Sequence, residues 1–299
     1  MPNTILTPSI IAKEALMVLR NNAVMANLVY RDYSAEFNGK VGDTITVRKP
    51  AKFVAKEFNG ETETQDITES GVPIVMNKLL DVTFAVSAKE LALSIEDFSK
   101  QLLVPAMQAF ADKVDGYLLA LEEDITNRVA HSSGSIGKGD IVSTRKFLTD
   151  AAAPSANRNF VYGSQAEADL LNTDLFINAS AVGDNGTALR EASLGRKFGL
   201  DFYVDQNVKT KTIGEGAEEK TYTPSIAFHK NAFALVTRTL PIPMGTKDSA
   251  IENYDGFALR VVYGYDQNKK ENTISIDMLC GVKTLDKNLA AVLEDTRTP

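Results

Sequence analysis

Apolar positions first recur along the chain at helical spacing. After Thr7, Pro8 and Ser9, residue types that open helices, Ile11, Ala15, Leu16 and Leu19 share one face as far as Arg20, which predicts an amphipathic helix. A short apolar stretch, Ala23 to Tyr30, follows Asn21-Asn22. Two placements stay open for this region: packed on its own domain, or lying as an arm across a neighbouring subunit. Turn signals at Asn38-Gly39 and Gly42-Asp43 then lead into a β-branched strand, Thr44 to Val47, ending near Lys49-Pro50. Residues 52–71 are strongly polar before apolar character returns at Val72–Met76 and Leu79–Val86. Two strands around a polar excursion predict a projecting β-hairpin whose tip cannot bury a core of its own.

The strongest helical pattern begins at Ser94, an N-cap residue type with Glu96 and Asp97 in the first turn. Phe98, Leu102, Met107, Phe110, Val114, Tyr117, Leu121 and Ile125 form its stripe. That predicts one helix of about 30 residues, some 45 Å long, with a kink or break at Pro105. Residues 131–140 are rich in Ser and Gly and predict a flexible connection, followed by a short helix over Ser143 to Ala153. Phe160–Tyr162 predicts a buried strand, and Gln165 to Asn172 a helix. Gly183 to Gly186 predicts a turn, and Leu189 to Val204 turn and strand. Lys209 to Thr223 predicts a polar linker or hairpin tip. The remainder is β-rich, with strands at Ala232–Thr239, Gly256–Tyr265 and Asn272–Leu279 and a further strand-like segment in Gly281–Val292. The whole is an α+β pattern without an internal repeat.

Composition narrows the class. The 299 residues are 44% hydrophobic and 24% charged, as in folded globular chains, and long enough to bury a sizeable core. A lone cysteine, Cys280, excludes an intrachain disulfide and fits a reducing compartment. The start, MPNTILTPSII, lacks a basic segment followed by an apolar one, and no apolar run reaches the roughly 20 residues of a membrane span. The expectation is a chain neither exported by that route nor embedded. A formal charge of −7 argues against a dedicated nucleic-acid binder, while leaving scattered basic residues free to meet DNA.

Candidate chemistry is scarce. His131 and His229 are the whole supply of histidine, one in a Ser/Gly loop and one at a strand edge, and are read as surface or structural residues. Metal-ligand spacings such as His-x-x-x-His and Cys-x-x-Cys are absent. The loop Gly134 to Gly139 superficially looks like a phosphate cradle, but Ser132 stands where Gly is required and Gly139 where Ser or Thr is required. Glu122, Glu123 and Asp124 point in different directions on a helix and are read as a solvated helix end. The expectation is no catalytic residue, no cofactor site and no metal site, hence no enzyme.

The ordered segments resemble the major capsid proteins of tailed bacteriophages, in particular the coat-protein group of short-tailed phages. The resemblance rests on TPSIIAKEAL (7–16), GDTITVRKP (42–50), LREASLG (189–195) with GLDFYVDQN (199–207), AFH (227–229) with 232–238, and then 260–266 and 277–281. It implies an α+β capsid fold with an N-terminal arm over 1–38, an extended β-hairpin loop over 39–85, a peripheral domain with a long spine helix over 86–130, an axial domain over 131–239 and C-terminal strands of the peripheral domain over 240–299. It implies hexamers and pentamers that close into an icosahedral shell around double-stranded DNA, assembled in the host cytoplasm, with a scaffolding protein and a portal as partners. Lys49, Lys52, Lys56, Glu57, Glu61 and Glu63 are the candidates for cross-subunit ion pairs on the loop. The rival readings are an encapsulin-like nanocompartment shell and a soluble enzyme with a pocket in 131–239.

Overall fold

A computed structural model of the chain describes residues 7–31, 44–48, 55, 57, 60, 71–86, 99–177, 191–213, 219–244, 248–254, 256–266 and 271–297. The turns expected at 38–43 and 183–186, the polar excursion apart from residues 55, 57, 60 and 71, the N-cap Ser94 and the loop 267–270 lie outside the described residues.

The elements run α1 (Pro8–Asn22), α2 (Met25–Leu28), β1 (Thr44–Arg48), β2 (Gly71–Val75), β3 (Lys78–Val86), α3 (Val104–Leu119), β4 (Arg128–His131), α4 (Lys138–Asp150), β5 (Arg158–Tyr162), α5 (Ser164–Leu171), α6 (Asp174–Ile177), β6 (Arg196–Lys197), β7 (Leu200–Val204), β8 (Lys211–Ile213), β9 (Lys220–His229), β10 (Phe233–Arg238), β11 (Ser249–Tyr254), β12 (Phe257–Asp266), β13 (Glu271–Thr284) and β14 (Ala290–Asp295). Strands β1 and β2 form an antiparallel ribbon, with Arg48 opposite Gly71, and residues 49–70 connect them.

Two sheets carry the rest. In the five-stranded sheet the order is β10-β13-β12-β11, with β3 also pairing β13. In the seven-stranded sheet the order is β4-β14-β9-β5-β7-β6, with β8 also pairing β9. Alternation explains why central strands read as unbroken apolar runs: Val161, Ile226, Phe228 and Val292 point into one core, whereas Phe160, Tyr162, Ala227 and Leu293 point into another. Strands β5 and β7 are parallel, a crossover that contains α5.

The larger core lies between the sheets and the helices α1 and α3. Ile11, Ala15, Leu16 and Leu19 of α1 share a core with Met107, Phe110 and Val114 of α3, and α1 lies against β11 and β12. Each large aliphatic or aromatic side chain buried there contributes roughly 1.5–3 kcal/mol. Of the two placements left open by the sequence, helix α1 takes the first, with its apolar face seated on its own chain. A small third core joins the ribbon to the body, where Val47, Ile74 and Met76 pack on Ala234, Val236 and Leu279.

Four segments differ from the pattern-based expectation. The long helix is composite: a π-helical turn over Ser99–Leu103, the α-helix α3, and a 3-10 turn over Ala120–Asp124. The change of helix type falls next to Pro105, which has no N–H to donate and crowds the preceding turn. Helix α4 begins at Lys138, inside the expected flexible connection, because Asp140 accepts the Gly137 amide at 3.0 Å and closes the first turn. Strand β9 occupies what looked like the end of a linker, and β13 runs through Gly281 to Thr284, leaving β14 to start at Ala290.

Candidate functional site

Of the six charged residues expected on the loop, Lys49, Lys52, Lys56, Glu61 and Glu63 lie outside the described residues, and Glu57 is exposed. The root of the loop is described, and its attachment is tight. A side-chain carbon added at Gly281 would stand 2.6 Å from the Val75 carbonyl oxygen, so only glycine lets ribbon and sheet meet that closely.

The histidines and the cysteine are structural. His131 is buried, with Nδ1 3.2 Å from Asp140 Oδ1 and Nε2 3.2 Å from the Gly134 carbonyl. His229 Nδ1 accepts the Asn231 amide at 3.2 Å, and burial together with the Arg158 charge holds its pKa below the usual value. Cys280 faces the large core, where burial pushes the thiol up to about 12. Such a thiol is protonated at neutral pH and is a poor nucleophile. Among the described residues, no group of three or more His, Cys, Asp and Glu side chains is placed to hold a metal ion. The Gly134–Gly139 loop is filled from within: Asp169 accepts the Ile136 amide at 3.0 Å and Asp140 takes that of Gly137.

The acidic run at the helix end corrects the sequence reading. Glu122 is 0% exposed, not solvated. Its carboxylate accepts from Tyr222 Oη at 2.8 Å, Arg128 Nη2 at 2.9 Å and Lys211 Nζ at 3.0 Å. Glu294 extends the cluster, bonded to Arg128 Nη1 at 2.6 Å and to Lys220. Burial alone would raise the Glu294 pKa, but Lys220 and Arg128 together hold it below the usual carboxylate range. The partners come from β4, β8, β9 and β14, so the cluster pins the end of the helical run to the seven-stranded sheet. Neighbouring carboxylates on a helix diverge, but only the assembled strands decide which of them is enclosed.

A second cluster fastens the C-terminal segment. Arg297 Nη2 reaches Asp169 Oδ2 at 2.5 Å and Asp295 Oδ2 at 2.6 Å, and Nη1 donates to the Gly134 carbonyl at 2.6 Å. A third lies on the outer face of the five-stranded sheet, where Arg260 meets Asp277 Oδ2 at 2.6 Å. The sequence gives little sign of the contact between Arg297 and Asp169, because those two residues lie 128 positions apart. Two surface grooves, of about 350 and 520 Å³, flank Val208, the larger against Lys113, Gly116 and Tyr117 of α3. The polar groups of the smaller groove include Asp295 and Arg297, which already bond one another, so nothing there converges as a catalytic constellation would.

No protein-family model matches the sequence, nor does any curated protein. Solved structures do match. A chain from Mycobacterium phage Che8 is 20% identical with a TM-score of 0.58, over 91% of this chain and 90% of that one. The chain has the phage capsid fold. The same fold is shared with the capsid of Ralstonia phage GP4, 10% identical, TM-score 0.55, over 87% and 85% of the two chains. It is shared too with a virus-like particle from Pyrococcus furiosus, 12% identical, TM-score 0.52, over 95% and 97%. No helix among the described residues is long and apolar enough to cross a membrane.

Proposed function

We propose that this chain is a major capsid protein whose copies form the hexamers and pentamers of an icosahedral shell around phage double-stranded DNA. The observation that carries the reading is the extent of the fold likeness to phage and other capsid chains, about nine-tenths of both chains. In this reading residues 1–38 form an N-terminal arm, 39–85 an extended loop, 86–130 with 240–299 a peripheral domain, and 131–239 an axial domain. The loop reaches neighbours, and repetition turns individually weak contacts into a stable container. Exposed ion pairs contribute about 0–1 kcal/mol each, so Lys49, Lys52, Lys56, Glu57, Glu61 and Glu63 act through their number. The shell assembles in the host cytoplasm with a scaffolding protein and a portal, and touches packaged DNA through scattered basic residues.

Negative-stain microscopy of the expressed chain tests the reading: closed shells are expected from the intact chain and none after deletion of residues 52–70. A monomer or dimer at every concentration and salt, without particles, sinks the capsid reading, and shells that survive the deletion sink the loop's part in it. The likeness to the virus-like particle supports a second reading, a nanocompartment shell enclosing an enzyme. Nuclease-resistant DNA inside purified particles selects the phage reading, and a co-purifying enzyme selects the other.

A further inference from the structure

Helix α2 has four residues and no side-chain cap of its own. The acceptor for its first amides comes from α3, about ninety positions away. Asp115 Oδ2 accepts from the Val24 amide at 2.7 Å and Oδ1 from the Ala26 amide at 2.8 Å. A carboxylate there suits the dipole of the helix start, yet Asp115 is only 1% exposed, and burial penalises its charge. The loop between β7 and β8 brings a second carboxylate to the same helix. Asp205, 2% exposed, accepts the Asn207 amide through Oδ1 at 2.8 Å, while its Oδ2 has no hydrogen-bond partner among the described residues. The same loop is tied to α3 by Asn207 Nδ2 donating to Asp112 Oδ1 at 3.2 Å. The groups facing Asp115 are thus backbone N–H donors on the α2 side and the Asp205 carboxylate on the loop side, with Asp112 in turn beside Asp205.

We propose that Asp115 and Asp205 couple two docking events on α3, the seating of the α1–α2 pair and the seating of the β7–β8 loop, through a repulsion that protons relieve. The coupling does not depend on the shell reading.

Its sign follows from linkage. Burial first, with Asp205 adding to it, pushes Asp115 up from 3.8 to about 7 when docked. Once the helix pair lifts away, the carboxyl is solvated and returns toward its ordinary value. The docked form therefore holds its proton more tightly, and docking weakens as pH rises from about 4 to about 7, then levels off. Above that window Asp115 is charged, and its repulsion with Asp205 sets each seated element against the other. Near pH 5 Asp115 is protonated and the opposition is gone.

Amide hydrogen exchange on the full chain, corrected for intrinsic rates, reads this directly. Protection at Val24 and Ala26 is expected to fall between about pH 5 and about pH 8. Asp205→Asn keeps the Oδ1 acceptor, removes the charge and offers an N–H where Oδ2 has no partner. It is expected to raise α2 protection at about pH 8, tenfold for each unit by which the Asp115 midpoint drops, and to leave it unchanged at about pH 5. Asp115→Asn is expected to abolish the pH dependence, and should that variant not fold, Asp205→Asn alone decides. Protection that is flat with pH in the parent chain, or an Asp205→Asn effect equal at both pH values or absent, overturns the proposal.

Discussion

Glu122 is enclosed by two cations and a phenol, and removing it takes one partner from each. Glu122→Ala is expected to cost about 1–3 kcal/mol, since Tyr222 loses its acceptor, while Arg128 and Lys211 each lose one carboxylate and keep another, Glu294 and Glu123. Tyr222→Phe removes one donor from a carboxylate that keeps two others, and about 1 kcal/mol is expected. Urea denaturation of the unassembled chain measures both. Glu294 adds a pH dependence. Its folded pKa lies below the unfolded value, so its share of stability is present above about pH 4.5 and is lost as pH falls through the depressed folded value. Glu294→Gln is expected to flatten that acid limb of the stability curve, and an unchanged limb would place the acid sensitivity elsewhere.

The helical run from Ser99 to Asp124 and the strand β13 beneath the ribbon contain two glycines with opposite expectations. Gly116 sits inside α3, where an added side-chain carbon would meet nothing within 4 Å. Gly116→Ala is therefore expected to stabilise the unassembled chain by about 1 kcal/mol through helix propensity. Gly281 has the Val75 carbonyl oxygen 2.6 Å from where that carbon would stand, and backbone cannot turn aside as a side chain can. Gly281→Ala is expected to destabilise by about 1–3 kcal/mol as an overpacked contact and to loosen the ribbon. Thermal melts of the two variants against the parent give the signs, and a fall for Gly116→Ala would mean that something packs on that face of α3. The run is not one helix: it changes type next to Pro105, where the sequence placed a kink or break, and again at the 3-10 turn, where periodicity alone sees a continuous stripe.

Across the whole molecule, function in the shell reading belongs to faces and to the loop, and the loop's charges are the accessible lever. Glu61→Lys combined with Glu63→Lys is expected to lower the yield of closed shells. The deficit should shrink as salt shortens the screening length from about 10 Å at 0.1 M to about 3 Å at 1 M, with particle counts by microscopy as the readout. An equal yield at low salt removes these residues from the contact. Much of the architecture was already visible in the order of residues. Amphipathic α1, the β1–β2 ribbon around a polar excursion, the buried Phe160–Tyr162 strand and the β12–β13 pair all follow from local periodicity, and the ordered segments pointed to the capsid fold that the solved structures share. Tertiary structure alone decided the rest. Strand β9, with Pro224 and small side chains, became central because β5 and β14 pair with it, and polar β11 became a strand because β12 supplies its partner. Glu122, Asp115 and Asp205 owe their burial to strands and loops that arrive from about ninety or more positions away. Local pattern fixes which face of an element is apolar, but charge burial depends on which distant element closes over it, and that is a property of the assembled chain.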